Sequence, residues 1–175
     1  PLIFCAMAGI FSERSGIIDI GLEGKMLLSA FVAATATFLT GSPILGLFAA
    51  ILASCSASLI HGFACITHKG DQVISGLAIN ILASGLTITL GIALFSRGGQ
   101  TPPLASEQRF MPIELPFLDQ ASHVPVLGDL FVEVISGHNM LVYLSVFAVF
   151  FTYYVIFKTR FGLRLRAVGE KPEAV

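Results

Sequence analysis

Charge is what this 175-residue chain has least of. Only 12% of its residues are Asp, Glu, Lys or Arg, against 55% hydrophobic and a mean hydropathy of +0.86, whereas a soluble domain carries about 25% charged residues. From Met26 to Thr67 there is no charged residue at all, so the class indicated is a membrane protein. The net charge of −1 points to no partner, because a basic patch is a local feature. Cysteine is scarce too. Cys5, Cys55 and Cys65 are odd in number, lie in apolar runs and form no CxxC pair, so neither a disulfide framework nor a zinc site follows and buried, inert thiols are expected. A Gly-rich phosphate loop is missing, so this chain does not itself bind ATP in that way. HExxH spacing, a GxSxG elbow and a carboxylate pair on one helix face are missing as well. Those absences weigh against an intramembrane enzyme that would use Glu23, His61 or Asp71 as acid and base, with His68 and His138 as ligands.

The charges that are present concentrate where they are costly. Ser12 to Lys25, SERSGIIDIGLEGK, puts Glu13, Arg14, Asp19, Glu23 and Lys25 between two apolar runs. A charge at the centre of a span costs about 2.5–3.5 kcal/mol on insertion scales, so charges there mark a pathway or a membrane boundary. Gly16, Gly21 and Gly24 accompany them. Broken helices within membranes are tolerated where they are buried in protein or line a cavity. The stretch therefore reads as the start of a discontinuous or re-entrant inner helix. Pro1 to Phe11, before it, is shorter than the roughly 20 residues a span needs. It has neither the basic start nor the cleavage site of a signal peptide, and reads as the tail of a truncated helix.

Four full spans are expected beyond that point. Leu22 to Thr40 ends at the turn Gly41-Ser42-Pro43. Ile44 to Ile66 carries Gly46, Ala50, Ser54, Ser58 and Gly62 at spacings of four, a ridge of small residues suited to close helix packing, with His61 beside it as a hydrogen-bonded packing residue. Thr67 to Gln72 is a polar turn. Val73 to Ser96 presents Gly76, Asn80, Ser84, Thr87 and Gly91 on one polar, small face. An unpaired amide in hydrocarbon costs several kcal/mol, so Asn80 needs a partner either across the bundle or on a solute. Residues 97–138 contain five prolines, Pro102, Pro103, Pro112, Pro116 and Pro125, and are locally acidic, so they form a loop rather than a span. Within that loop, 115–118 and 124–135 have the apolar character of a short interfacial helix. Asn139 to Phe157 is the last span, with Tyr153 and Tyr154 placed like an interfacial belt. Half of the chain's basic residues follow in 158–175: Lys158, Arg160, Arg164, Arg166 and Lys171. By the positive-inside rule that end is cytoplasmic and 97–138 is extracytoplasmic. The fold expected is all-α, a polytopic transmembrane helical bundle truncated at both ends, with 1–175 as a single partial transmembrane domain.

Three blocks, SERSGIIDIGLEGKMLLSAF, DQVISGLAINILASGLT and TRFGLRLRAVGEKPEAV, stand in order along the chain. Together they resemble the permease subunits of bacterial ABC importers, the branched-chain amino acid and simple sugar permeases, and within them the nucleoside and simple sugar branch. The resemblance implies a multi-pass permease of the bacterial inner (plasma) membrane with no cofactor of its own. It also implies three partners: a cytoplasmic ATPase, a second permease subunit alike or different, and an extracytoplasmic solute-binding protein. Membrane lipid surrounds the whole. The permeation path implied is lined by Ser15, Asp19, Glu23 and Gly24 together with Gly76, Asn80 and Ser84.

The tail resembles the segment that couples such permeases to their ATPase, with Arg164, Gly169, Glu170, Pro172 and Ala174 as its coupling residues. Pro172 suits the first turn of a helix, Glu170 and Glu173 suit its N-terminal end, a basic flank holds it at the membrane surface, and Gly169 is expected as its hinge. The sequence departs from the family in ending on Val175 where a second alanine is usual. Asp19 also replaces a common Asn, and Lys25 a common uncharged residue. Either the elbow is wetter than usual, or Asp19 and Lys25 pair with other charges. A polar, mostly uncharged lining suits a neutral, hydroxyl-rich solute; branched-chain amino acids are the alternative cargo. An ion-coupled secondary transporter with Asp19 and Glu23 as proton sites is the alternative engine.

Overall fold

A computed structural model describes residues 1–97, 100–112 and 137–171. Among them are six α-helices and no β-strand: α1 (Leu2–Arg14), α2 (Leu22–Thr40), α3 (Pro43–Gly62), α4 (Gln72–Phe95), α5 (Met140–Lys158) and α6 (Arg160–Glu170). The boundaries follow local chemistry. Gly41, at φ +74°, ends α2 in the left-handed conformation, and Pro43 opens α3 at its first turn, where its missing N–H costs nothing. The side chain of Asp71 accepts the N–H of Ile74 to cap α4 at 2.9 Å. Asn139 and Thr159 cap α5 and α6 in the same way, through the N–H groups of Val142 and Gly162. A wider π-helical turn, Phe63–Thr67, prolongs α3.

Four of the helical stretches, Leu22–Thr40, Pro43–Thr67, Gln72–Phe95 and Met140–Lys158, are long and apolar enough to cross a membrane. At 1.5 Å per residue even the shortest reaches about 28 Å, close to the thickness of a bilayer's hydrocarbon core. Their large side chains point outward. Leu39, Phe48, Leu52 and Leu59 are each more than 60% exposed, whereas most of the buried set is small, as in Ala50, Ala57, Cys65 and Ala83. Small residues inside and bulky ones outside are what close helix packing in lipid requires.

α2 packs against both α3 and α4, while α1 packs against α5 and α6. Gly24 and Gly21 lie on Asn80 and Gly76 at one end, and Phe38 meets Phe95 edge-on at 5.6 Å at the other, so α2 and α4 run in the same direction. α3 runs back in the opposite direction, packed on α2, and brings His61 to Ser75. The end of α1, the starts of α2 and α4, the end of α3 and the α5–α6 junction therefore gather at one end of the bundle.

Several expectations are refined. The helix before the elbow runs to Arg14, and the chain is non-helical only from Ser15 to Gly21 before α2 begins. On α3 the buried row is Gly46, Ala50, Ala57 and His61. Strict spacing by four drifts around a helix of 3.6 residues per turn, which leaves Ser58 exposed. The tail departs furthest. Thr159 starts a helix ten residues before the expected coupling helix, so Gly169 and Glu170 close α6 rather than hinge or open a new one. Pro172, Glu173, Ala174 and Val175, like the expected interfacial helices in 115–118 and 124–135, lie outside the described residues.

Candidate functional site

The interruption between α1 and α2 is built from its own hydroxyls first. Ser12 donates to the carbonyl of Ile17 at 2.8 Å, and Ser15 donates to that of Ser12 at 2.7 Å. These bonds replace helical ones with side-chain partners and let the chain turn through Gly16, at φ +84°. The rest of the elbow is held from α4. Gln72 accepts the N–H of Ile18 at 2.7 Å and faces the carbonyl of Gly16 at 3.5 Å. Two turns along, Asn80 accepts the N–H of Gly24 at 2.7 Å and donates to the carbonyl of Ile20 at 3.2 Å. Gly76, between them, lies under the elbow so closely that a methyl group there would sit 2.9 Å from the amide nitrogen of Gly21. Gln72, Gly76 and Asn80, spaced by four, form one strip that satisfies the backbone groups freed where the helix breaks.

On the other side of the elbow lies a charged cluster. Asp19 pairs with Lys25, both side chains being at least nine-tenths buried. Asp19 also accepts the N–H of Gly21 at 3.1 Å, and its carboxylate lies 3.8 Å from Nε2 of His61. Nδ1 of His61 meets the hydroxyl of Ser75 at 3.0 Å, with Cys65 at 3.7 Å. Four elements thus contribute: the elbow, α2, α3 and α4. Burying two charges costs several kcal/mol each unless they are paired and hydrogen-bonded, and here they are. A cavity of about 270 Å³ opens beside the cluster, and its polar lining is Ser12, Asp19, Lys25, Ser54, Ser58 and His61.

The expected path residues are divided by this geometry. Asp19 faces the cavity. Gly24, Gly76 and Asn80 are buried or half-buried and are occupied in holding the elbow to α4, so Asn80 has found its partners across the bundle. Ser15 is bound within the elbow. Glu23 is exposed in the first turn of α2, where the helix dipole favours a negative charge. Ser84 is exposed and donates to the carbonyl of Ile81 on its own helix; the buried face of α4 runs instead through Gly76, Ile79, Ala83, Thr87 and Gly91. Asp19 and Lys25 pair with each other, which settles the alternative left open by their unusual identity. His61 is hydrogen-bonded within the bundle, as its place beside the small ridge suggests, and Lys25 is paired; neither is among the path residues the sequence points to, and Ser75 and Gln72 are not singled out by it. The spacing of Gln72 from Gly76 and Asn80, and that of His61 from Cys65, were the available signals.

The expected coupling region reaches the same elbow. α6 turns sharply off α5 at buried Gly162 and comes back against α1. A methyl group on Gly169 would run into the carbonyl oxygen of Arg14 and lie 3.1 Å from the nitrogen of Gly16; one on Gly16 would lie 3.2 Å from the Cα of Gly169. Arg14 and Arg166 both lie over the ring of Phe157, at 6.0 and 5.2 Å from its centroid. Arg160 and Arg164, one turn apart, are exposed.

Comparison with known proteins agrees with this architecture. The profile of the family described as "Branched-chain amino acid transport system / permease component" matches residues 1–175. The chain is 38% identical over 180 residues to the guanosine ABC transporter permease protein NupQ of Bacillus subtilis, an alignment covering 99% of this chain and 54% of that protein. It is 34% identical over 180 residues to the nucleoside ABC transporter permease protein NupC of Lactococcus lactis, with the same coverage. It is 31% identical over 172 residues to the putative glucose ABC transporter permease protein TsgC13 of Haloferax volcanii, covering 98% of this chain and 49% of that protein. The chain thus spans about half the length of the curated relatives it matches. No solved structure shows a significant match.

Proposed function

The chain belongs to the branched-chain amino acid transport system permease family, and from that membership we propose that it forms part of the membrane-spanning permease of an ATP-driven ABC importer for nucleosides or simple sugars. The solute class is supported by the names of the relatives at 31–38% identity, a guanosine permease, a nucleoside permease and one named a putative glucose permease. Three partners follow from the reading: a cytoplasmic ATPase, a second permease subunit, and a solute-binding protein on the outer face of the plasma membrane. The described chain contributes the elbow and the surface that meets the ATPase.

The observation that carries the mechanism is the contact between Gly16 and Gly169. In this reading the exposed face of α6, with Arg160 and Arg164, meets the ATPase at the cytoplasmic surface. When the ATPases close on ATP, α6 moves as a rigid body, and its last turn has no side chain between itself and the elbow. Displacement therefore passes from backbone to backbone, into the non-helical segment 15–21 that sits beside the polar cavity. Rigid elements joined by a short irregular segment are the usual means of alternating access.

The test is uptake into vesicles by the full-length permease assembled with its ATPase and solute-binding protein. Radiolabelled guanosine or D-glucose should accumulate when ATP is supplied inside and should be indifferent to a proton gradient. Uptake that follows the gradient without ATP makes the protein a secondary transporter. Uptake displaced by leucine but by neither probe moves the cargo to branched-chain amino acids.

A further inference from the structure

We propose that the cavity between α1, α2 and α3 is a subsite that takes a single hydroxyl-bearing, uncharged ring, the sugar ring of the solute, with Lys25 and Asp19 as its polar contacts. The proposal rests on the transport reading and adds the place and chemistry of recognition. Lys25 carries it. Its side chain is 4% exposed, yet among the described residues its ammonium has a single hydrogen-bond partner, Asp19. An ammonium has three donors, and buried donors find acceptors, so two N–H groups beside the cavity call for oxygen atoms that the described residues do not supply.

The pair itself points the same way. A buried ion pair is often no more stable than apolar residues of the same volume, so it is weak evidence of a stabilising role, and an ionisable residue within a membrane bundle is by default a functional one. A hydroxyl group both donates and accepts, which matches an ammonium next to a carboxylate. Because the two charges cancel, they favour a neutral solute over an ion. Ser54 and Ser58 on α3 and Ser12 on α1 extend the polar lining around the remaining hydroxyls. The volume of about 270 Å³ lies just below the roughly 300–1,000 Å³ typical of small-molecule sites. It therefore suits one sugar ring, leaving a nucleobase outside the cavity.

The experiment uses the full-length permease with its ATPase and solute-binding protein in proteoliposomes, with Cys5, Cys55 and Cys65 replaced by serine. In that background Ser54→Cys places a thiol in the cavity wall, and Ser56→Cys places one on the exposed side of the same helix. Guanosine or D-glucose at ten times half-saturation should slow the reaction of Ser54→Cys with methyl methanethiosulfonate about tenfold by occupancy, and leave Ser56→Cys unchanged. The double variant Asp19→Asn, Lys25→Met, which removes both charges together, should raise KM about tenfold or more with little change in kcat. It should also lose the preference for guanosine over its 2′,3′-dideoxy analogue, because a site built to bond hydroxyls rejects a solute lacking them. Normal uptake with no protection of Ser54→Cys and an unchanged KM would overturn the subsite while leaving the transport reading intact. No ATP-driven uptake of either probe by the unsubstituted protein would remove the transport reading, and the subsite with it.

Discussion

The side-chain oxygen of Asn80, on α4, accepts the backbone N–H of Gly24, on α2, at 2.7 Å. Gly24 is the third residue of α2, where a free N–H is normally capped by a side chain just before the helix. Gly21, the residue in the capping position, has none to offer. Another helix supplies the cap instead and receives a return contact, since Nδ2 of Asn80 donates to the carbonyl of Ile20. The restart of the broken helix is thereby tied to α4 and not only to its own sequence. Replacing Asn80 by leucine leaves both backbone groups unpaired and should cost about 1–3 kcal/mol. The measurement is thermal unfolding of the full-length permease in detergent; a melting temperature equal to that of the unsubstituted protein would remove the cap.

Gly24 is subject to a separate constraint. A methyl group on it would lie 2.7 Å from both the Cα and the side-chain Oδ1 of Asn80 and 2.9 Å from the carbonyl oxygen of Ile79, so two of the three nearest atoms are backbone of α4. Gly24→Ala should therefore destabilise by about 1–3 kcal/mol as overpacking does. Asn80→Ala removes the Oδ1 obstacle but leaves both backbone atoms in place and gives up the hydrogen bonds to Gly24 and Ile20, so the combination should give no net rescue. A double variant more stable than Gly24→Ala alone would show that the side chain, and not the helix, sets the spacing.

The pairing of Asp19 with Lys25 leads to an asymmetric expectation. Asp19→Asn alone leaves a buried ammonium without its counter-charge and should cost about 3–5 kcal/mol. Adding Lys25→Met removes the stranded charge and should restore most of the loss. Equal melting temperatures for Asp19→Asn and the unsubstituted permease would mean that water reaches the pair freely.

Much of this organisation is legible in the sequence. Spans cut off from charge and closed by Gly41-Ser42-Pro43 or Thr67 to Gln72 have ends within about two residues of those observed, because apolar length and turn chemistry are local properties. The break between α1 and α2 was visible for the same reason, in its glycines and charges. For Asn80 the sequence leaves two roles open, since its partners lie more than fifty residues away along the chain. Spacings that mix three and four point Ser84 to the inner face, whereas the helix rotates it outward. α6 is hard to read in the sequence because Gly162 and three basic residues mask its periodicity, although Thr159 is a good cap and the helix needs a glycine where it folds back on α5. The pairing of Gly16 with Gly169 had no sequence signal, because neither residue has a side chain to leave one.

That last pair gives the sharpest prediction for coupling. Gly169→Ala forces the last turn of α6 away from the carbonyl of Arg14 and the nitrogen of Gly16, while leaving the exposed face with Arg160 and Arg164 untouched. If motion passes through this contact, the variant should still bind its ATPase and hydrolyse ATP at near the normal rate. Solute accumulation should fall roughly tenfold or more, since losing about 1–3 kcal/mol of close packing is enough to shift a two-state element by that factor. Co-purification of the ATPase, hydrolysis rate and uptake are measured on one preparation. Full uptake by Gly169→Ala would place the transmitting contact elsewhere. Loss of ATPase binding would instead assign Gly169 to the docking surface and not to the link behind it.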